Sequence, residues 1–251
     1  MSVSEGAAAA DRDLAVGLTF RGPQRWRRCF DDVFGDLPAP PSQTLRLHRH
    51  GRRQMSVSLP GQRVTGTPGQ CAAAVLAEHG RHVAAAAAAR FAVLTGSAVA
   101  VGATGVALVA PPRAGATTLA RALLATGAGY LSDAMVLVDS DTFTVHPLPF
   151  PFPATAPALP TRASTVASLA STVPLRALIF PQRQETPADP SCERLAPAAA
   201  LTLLAACTAA ATGHETEFFR RLTEIARRTP ASVLRYHEAV TAVPLLRAEL
   251  T

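Results

Sequence analysis

The sequence predicts an α/β fold with a small α+β lobe before it. Residues 106–139 read as a buried strand, a turn-rich loop, a helix and a second strand. Residues 91–101 and 175–180 are further apolar runs of the strand type, and helical patterns separate them. Helices that alternate with apolar strands are typical of a sheet covered by helices. We therefore expect one α/β domain over residues 70–251.

The first part of the chain predicts a separate, smaller unit. Residues 1–12 are expected to be disordered, and residues 13–69 to form a lobe of mixed α and β structure. Apolar alternation indicates strands, and four aromatic or aliphatic side chains on one face indicate an amphipathic helix. The predicted elements are a strand over 14–20, a helix over 25–34 and hairpin strands over 44–50 and 54–59 around Gly51.

The elements of the larger domain follow from helical periodicity, from short apolar runs and from the positions of glycine and proline. We predict helices over 70–93 (interrupted at Gly80), 119–124 (stopped by Gly127 and Gly129), 165–169, 196–211, 215–228 and 239–250. The predicted strands are 91–101, 105–109, 130–131, 135–138, 175–180 and 232–236. Two loops are expected, a proline-rich one over 145–160 that excludes a helix or a central strand, and a polar one that runs to Ser191.

The loop between the strand at 106–109 and the following helix is close to a Walker A motif. That motif would place glycine at 110 and 115, lysine at 116 and a hydroxyl at 117. The sequence keeps Gly115 and Thr117 but has Ala110 and Ala116 at the other two positions. Glycines let backbone amides surround a phosphate, the lysine supplies a cation, and the hydroxyl ligates Mg²⁺. The loop therefore has the form of a phosphate site without its central charge.

The missing lysine cannot come from elsewhere, because the chain contains no lysine and all 24 basic residues are arginine. Arg113 is the nearest cation in the loop, although a guanidinium is bulkier than an ammonium and the two are not interchangeable. The candidate phosphate-binding residues are Arg113, Gly115, Ala116, Thr117 and Thr118. If a nucleotide binds, the ligands expected are ATP and Mg²⁺, with Thr117 on the metal.

Composition excludes few classes of function. The net charge of +6 is spread over scattered arginines, and no aromatic–basic stacking pattern accompanies it. We therefore expect no nucleic-acid binding. The four cysteines are far apart and form no C-x-x-C pair, which indicates thiols rather than a metal site or disulfides. No long apolar run or signal peptide is recognisable, so a cytoplasmic location without membrane contact is expected.

Three segments make residues 70–251 similar to the C-terminal catalytic domain of HPr kinase/phosphorylase and its bacterial serine-kinase-like relatives. Residues 94–101 (LTGSAVAV) resemble the family strand that carries a histidine and leads to the phosphate loop. Residues 110–119 (APPRAGATTL) resemble the family loop G-P-S-G-A-G-K-T-T-L. Residues 129–134 (GYLSDA) resemble the family segment with an Asp-Asp pair. The resemblance implies a P-loop, HPr-kinase-like sheet with flanking helices.

The positions at which this sequence departs from the family are those of the family's reactive groups. The family histidine is replaced by Thr95, the lysine by Ala116 and the second aspartate by Ala134. The resemblance implies that these groups deprotonate the target hydroxyl, neutralise the phosphates and hold the metal, which is most of what phosphoryl transfer needs. Asp133 remains, either as a metal-binding or catalytic carboxylate or as the cap of a turn.

Three functions stay open at this stage. The first is a non-catalytic HPr-kinase-like protein, a pseudokinase that binds a peptide or protein partner. The resemblance to relatives of this kinase suggests a bacterial peptide-modification pathway as its setting. The second is an active ATP-dependent serine kinase with Asp133 as base and an arginine in place of the lysine. The third is binding of a phosphate ligand without transfer. The family tends to form oligomers, which leaves a homo-oligomer open for this chain.

Overall fold

The computed structural model describes residues 17–34, 41–50, 54–152, 159–165, 167–209 and 215–250. The disordered N-terminus predicted over 1–12 lies outside them. The chain divides into two compact units, one of residues 1–86 and 150–166 and one of residues 87–149 and 167–251. Within the described residues the fold is mixed α/β, with six helices, a four-stranded sheet and an eight-stranded sheet, which confirms the α/β class. None of the described helices is long and apolar enough to cross a membrane.

The first unit is a four-stranded sheet with a helix that connects its two parallel strands. The strands are β1 (Gly17–Arg21), β2 (Pro41–Arg49), β3 (Met55–Leu59) and β4 (Gln62–Gly66), in that order across the sheet. Strands β1 and β2 are parallel, and helix α1 (Gln24–Phe34) lies between them in the chain. Its apolar face packs on the sheet, where Phe20 and Phe30 have ring centroids 5.1 Å apart.

Helix α2 (Pro68–Ala87) runs without a break, so the interruption predicted at Gly80 is wrong. Eight alanines in the helix supply high helical propensity on both sides of the glycine, and one glycine costs only about 1 kcal/mol relative to alanine. Cys71, Ala72 and Val75 belong to the same apolar cluster as the sheet of the first unit. Burial of these small side chains places the start of the helix in that unit.

The second unit is organised around the long strand β5 (Ala92–Val101). One edge of β5 pairs with β6 (Thr104–Val109), and the other pairs with β7 (Gly129–Ser132) and then with β8 (Met135–Asp139). All three pairings are antiparallel, so β6 and β7 run in the same direction with β5 between them. Helix α3 (Ala116–Leu124) connects β6 to β7. The strand–loop–helix–strand order predicted for residues 106–139 is therefore observed.

The remaining strands extend this sheet in both directions. On one side β6 is followed by β10 (Val173–Arg183), β12 (Ala231–Tyr236) and β11 (Ser191–Arg194). On the other side β8 pairs with β9 (Thr144–His146), which also pairs with β10. Strand β10 is parallel to both β6 and β12. The C-terminal ends of these three strands therefore lie at one edge, where ligands bind in many α/β sheets.

Three helices complete the second unit, and their bounds agree with prediction to different degrees. Helix α4 (Pro197–Ala206) ends earlier than the predicted residue 211, because Thr208 forms a bridge to Leu94. Helices α5 (Glu215–Arg228) and α6 (Ala239–Leu250) agree with the predicted 215–228 and 239–250. Their amphipathic or apolar patterns are long enough to be unambiguous.

Three smaller predictions are wrong. Residues 145 and 146 belong to β9 rather than to a loop, since they complete the pairing between β8 and β10. The helix predicted over 165–169 is absent from its described residues. A 3₁₀ turn (Ala163–Thr165) precedes Leu169, which forms a bridge to Tyr130. Finally, β10 continues to Arg183, and the predicted loop is followed by the edge strand β11.

Candidate functional site

The loop of residues 110–115, called here the β6–α3 loop, has two residues in the left-handed conformation before the helix begins. Arg113 has φ of 72° and Gly115 has φ of 104°, both in the left-handed region. Successive residues of opposite hand turn backbone N–H groups toward one side, which is the geometry of anion-binding nests. A side chain on Gly115 would collide with the hydroxyl of Tyr236. Both backbone conformation and space therefore require glycine at this position.

Tyr236 fixes the loop from the neighbouring strand end. Its hydroxyl donates a hydrogen bond to the carbonyl oxygen of Gly115 across 3.1 Å. Tyr236 is the last residue of β12, and the loop follows the last residue of β6, so the bond links two strand ends at the same edge of the sheet. Burial raises the pKa of the Tyr236 phenol, and the nearby charge of Arg183 partly opposes this. The phenol is therefore protonated at neutral pH and acts as a donor.

Helix α3 begins without a side-chain cap. Gly115 occupies the N-cap position and offers no side-chain acceptor to the first amides. The amides of Ala116, Thr117 and Thr118 have no carbonyl partner inside the helix, because the first intrahelical bond at this end is Leu119 N–H to Gly115 O at 2.9 Å. Uncapped amides and the helix dipole together favour an anion at such an end.

Asp133 lies beside the first turn of α3 because strand pairing is interrupted there. Strands β7 and β8 are consecutive partners of β5, and residues 133 and 134 form a bend between them, with Ala134 at φ of 67°. Because these two residues belong to neither strand, the side chain of Asp133 does not follow the alternation of a regular ladder. The hydroxyl of Thr117 donates to Asp133 Oδ1 across 2.8 Å, and Ser97 donates to the same oxygen.

The second carboxylate oxygen of Asp133 has no partner among the described residues. Asp133 is 1% exposed, and its Oδ2 is buried without a hydrogen bond. Burial raises the pKa of this carboxyl, although hydrogen bonds from Ser97, Thr117 and the backbone of Ala134 and the charge of Arg121 lower it. A buried carboxylate oxygen without a donor is costly unless a proton or a cation satisfies it. The arrangement therefore favours a cation or a proton at Oδ2.

Mg²⁺ fits the oxygen atoms at this position. The ion prefers hard oxygen ligands and in nucleotide sites takes one or two protein oxygens beside those of phosphate and water. Asp133 and Thr117 would hold it, and it would neutralise phosphate charge when bound. Among the described residues, no group of three or more histidine, cysteine, aspartate or glutamate side chains has the proximity to form an all-protein metal site.

Thr95, which the sequence resemblance compares with a histidine, is hydrogen-bonded to the backbone. Its hydroxyl lies 3.0 Å from the carbonyl oxygen of Ala110 and 3.1 Å from that of Cys207. Both atoms are hydrogen-bond acceptors, so the hydroxyl acts as a donor that joins β5 to the start of the β6–α3 loop. Thr95 has no group that can act as a base at neutral pH, and its role here is structural.

The structure brings some of the predicted site residues together at the start of α3 and leaves the side chains of others exposed. Gly115, Ala116, Thr117 and Asp133 meet at the start of α3, whereas the side chains of Arg113 and Thr118 are exposed. Ser97, Tyr236 and Arg183 also belong to this site, and they were not predicted. Ser97 lies two residues after Thr95 in a segment that the resemblance already covered. Tyr236 ends a predicted strand and Arg183 lies three residues beyond another, so neither carries a sequence signal for the site.

A surface cleft adjoins the same strand ends. Its volume is about 490 Å³, and it is lined by Pro187, Ala188, Asp189, His237, Glu238 and Thr241. His237 follows Tyr236 directly, and its carbonyl oxygen accepts a hydrogen bond from Arg183 Nε at 3.3 Å. The cleft and the β6–α3 loop are therefore connected through Tyr236, the last residue of β12, and His237, which follows it.

No protein-family model, no curated protein and no solved structure matches this chain.

Proposed function

We propose that this chain is a catalytically degenerate, HPr-kinase-like protein, a pseudokinase that binds a phosphate-bearing ligand at the β6–α3 loop without transferring the phosphoryl group. It serves as a peptide- or protein-binding accessory component, and the resemblance suggests a bacterial peptide-modification pathway as its setting. The proposal depends most on one observation: the buried Asp133 carboxyl, bonded to Thr117, lies beside the uncapped start of α3.

Two features support binding without transfer. The chain has no lysine, and position 116 is a buried alanine, so the usual cation on the transferred phosphate is missing. The hydroxyl of Thr95 bonds to the backbone and supplies no base. Phosphoryl transfer depends on positioned cations and on an oriented nucleophile, and the loss of one such group commonly costs about 10²–10³-fold in rate.

The alternative function is an active ATP-dependent serine kinase, and the contact between Thr117 and Asp133 favours it. A hydroxyl at the start of the helix next to a carboxylate is the arrangement that holds Mg²⁺ on a nucleotide. In such a kinase the raised pKa of Asp133 would suit a general base. Arg113 or another arginine would then replace the lysine.

Calorimetry with ATP·Mg²⁺ and with pyrophosphate·Mg²⁺ tests the proposal on the full chain. We expect binding by the wild type and about tenfold weaker binding by Thr117→Ala, because the hydroxyl beside the metal position is lost. Thr223→Ala is the matched control, since Thr223 is also a helical threonine whose hydroxyl bonds to a carbonyl, that of Phe219 at 2.9 Å. The absence of heat at millimolar ligand would contradict phosphate binding.

A transfer assay separates the two candidate functions. With γ-labelled ATP and serine-containing peptides, the pseudokinase transfers no label in the wild type or in Asp133→Ala. An active kinase transfers label in the wild type and loses it in Asp133→Ala. Label on a peptide that depends on Asp133 would therefore overturn the non-catalytic proposal.

A further inference from the structure

Arg183 ends β10 at the edge of the sheet where the β6–α3 loop lies. It is the register partner of Tyr236 across the parallel pair of β10 and β12. A Cβ atom placed on Gly115 would lie 3.7 Å from the Cβ of Arg183. The side chain of Arg183 therefore starts in contact range of the residue that precedes helix α3, although about 70 positions separate the two in the chain.

The guanidinium of Arg183 is held only from one side. Its Nε donates to the carbonyl oxygen of His237 at 3.3 Å, and the side chain is exposed. Among the described residues Arg183 has no carboxylate partner. Its charge lowers the pKa of the Tyr236 phenol, whose hydroxyl bonds to Gly115 O. The two Nη groups of Arg183 remain available to an acceptor outside the protein.

A cation at this place would offset the negative charge of a phosphate bound at the loop. The amides of Ala116, Thr117 and Thr118 favour an anion, and the buried Asp133 Oδ2, which has no partner, favours a cation beside it. A phosphate on the loop would bring several negative charges next to a carboxylate, and position 116 supplies no lysine to offset them. A guanidinium can offset them and bind two phosphate oxygens at once.

We propose that Arg183 is the phosphate-binding cation of this site and takes the part of the lysine missing at 116. The inference rests on the proposed phosphate binding at the loop. The ligand class is a phosphomonoester or a di- or triphosphate, bound between the uncapped start of α3 and the Nη groups of Arg183. The residue binds from the neighbouring strand end rather than from the loop itself, and Arg113 in the loop is not required.

The test is calorimetric titration of pyrophosphate with Mg²⁺ into the full chain and three variants. We expect Arg183→Gln to weaken binding about tenfold or more, because a charge-assisted bidentate contact is lost. Arg113→Gln should bind within about threefold of the wild type. Arg176→Gln is the matched control, because Arg176 is an exposed arginine on the same strand as Arg183 but outside the site, and it should bind like the wild type.

Each other outcome decides against the inference in a distinct way. Wild-type affinity in Arg183→Gln overturns the role of Arg183 and leaves phosphate binding at the loop intact. A loss confined to Arg113→Gln does the same and assigns the cation to the loop. If the wild type binds no pyrophosphate, the proposed function fails and this inference fails with it. Thermal unfolding of all variants checks that an exposed glutamine has not changed the fold.

Discussion

The hydroxyl of Thr117 donates to Asp133 Oδ1 across 2.8 Å, and this bond joins the first turn of helix α3 to the bend between β7 and β8. The two residues are 16 positions apart, and Ser97 of strand β5 donates a hydrogen bond to the same carboxylate oxygen. Hydroxyl, carboxylate and open helix end thus meet at one point. The geometry stays the same for a binding protein and for a kinase, so the groups around it decide between the two functions.

Asp133→Asn should remove a pH dependence from the stability of the protein. The pKa of Asp133 is raised above its ordinary value of 3.8 in the folded state, so the folded state binds the proton more tightly than the unfolded state. The contribution of Asp133 to stability is therefore greatest at low pH and decreases as pH rises from about 4 through the raised pKa, by at most about 1.4 kcal/mol per pH unit.

Urea denaturation of wild type and Asp133→Asn between pH 4 and 7 measures this difference. The free energy of unfolding of the wild type should fall relative to that of the variant as pH rises. Other carboxyls are common to both proteins, so they cancel in the comparison. A difference that is constant with pH would show that Asp133 has no raised pKa.

Gly115→Ala should destabilise the protein by about 2 kcal/mol or more, because alanine must adopt the left-handed conformation and also meets the Tyr236 hydroxyl. Gly127→Ala is the control, since Gly127 has a φ of 90° but no atom near its Cβ position. It carries the conformational cost alone. Thermal or urea unfolding should rank Gly115→Ala as the more costly change.

Combining Gly115→Ala with Tyr236→Phe tests the contact itself. Removal of the phenolic oxygen relieves the collision, so the double variant should be more stable than the sum of the two single losses predicts. Tyr236→Phe alone should cost about 1 kcal/mol through the lost bond to Gly115 O. Strict additivity in this double-mutant cycle would mean that the collision is relieved in another way.

Arg183→Gln should raise the pKa of Tyr236. Burial already raises the pKa of this phenol, and the positive charge of Arg183 lowers it by favouring the phenolate. Removal of that charge leaves burial unopposed. Ultraviolet titration can follow the change because the chain has only two tyrosines, and a Tyr130→Phe background assigns the signal. An unchanged titration curve would place the guanidinium away from the phenol, independently of any ligand.

Arg221 should matter far more for stability than its neighbour Arg220. The guanidinium of Arg221 is buried and donates to the carbonyl oxygens of Ala88 at 2.8 Å and Ala89 at 2.6 Å. Arg221→Met leaves these bonds unmade and should cost about 1–3 kcal/mol. Arg220 pairs with Glu217 at the surface, where water screens the ion pair, so Arg220→Met should cost clearly less than Arg221→Met. Urea denaturation of both variants makes the comparison, and equal losses would contradict it.

Local sequence patterns predicted the long elements well. Helices α5 and α6 and strand β5 have strong periodicity or apolar runs, and their bounds lie within one residue of prediction. The short strands β9 and β11 were missed, because three or four residues carry too little pattern and their pairing partners are distant in the chain. Gly80 was overestimated as a helix breaker for a different reason, because the helical propensity of the alanine-rich sequence around it outweighs the cost of one glycine.

The sequence by itself determined the β6–α3 loop, the need for Gly115, the absence of lysine and the presence of a hydroxyl and a carboxylate at positions 117 and 133. Only the tertiary structure decided that Thr95 bonds to the backbone, that the bend between β7 and β8 brings Asp133 to Thr117, and that Arg183 and Tyr236 reach Gly115. The physical reason is strand pairing. Parallel pairing of β6, β10 and β12 brings distant strand ends to one edge, and no local pattern encodes which ends will meet.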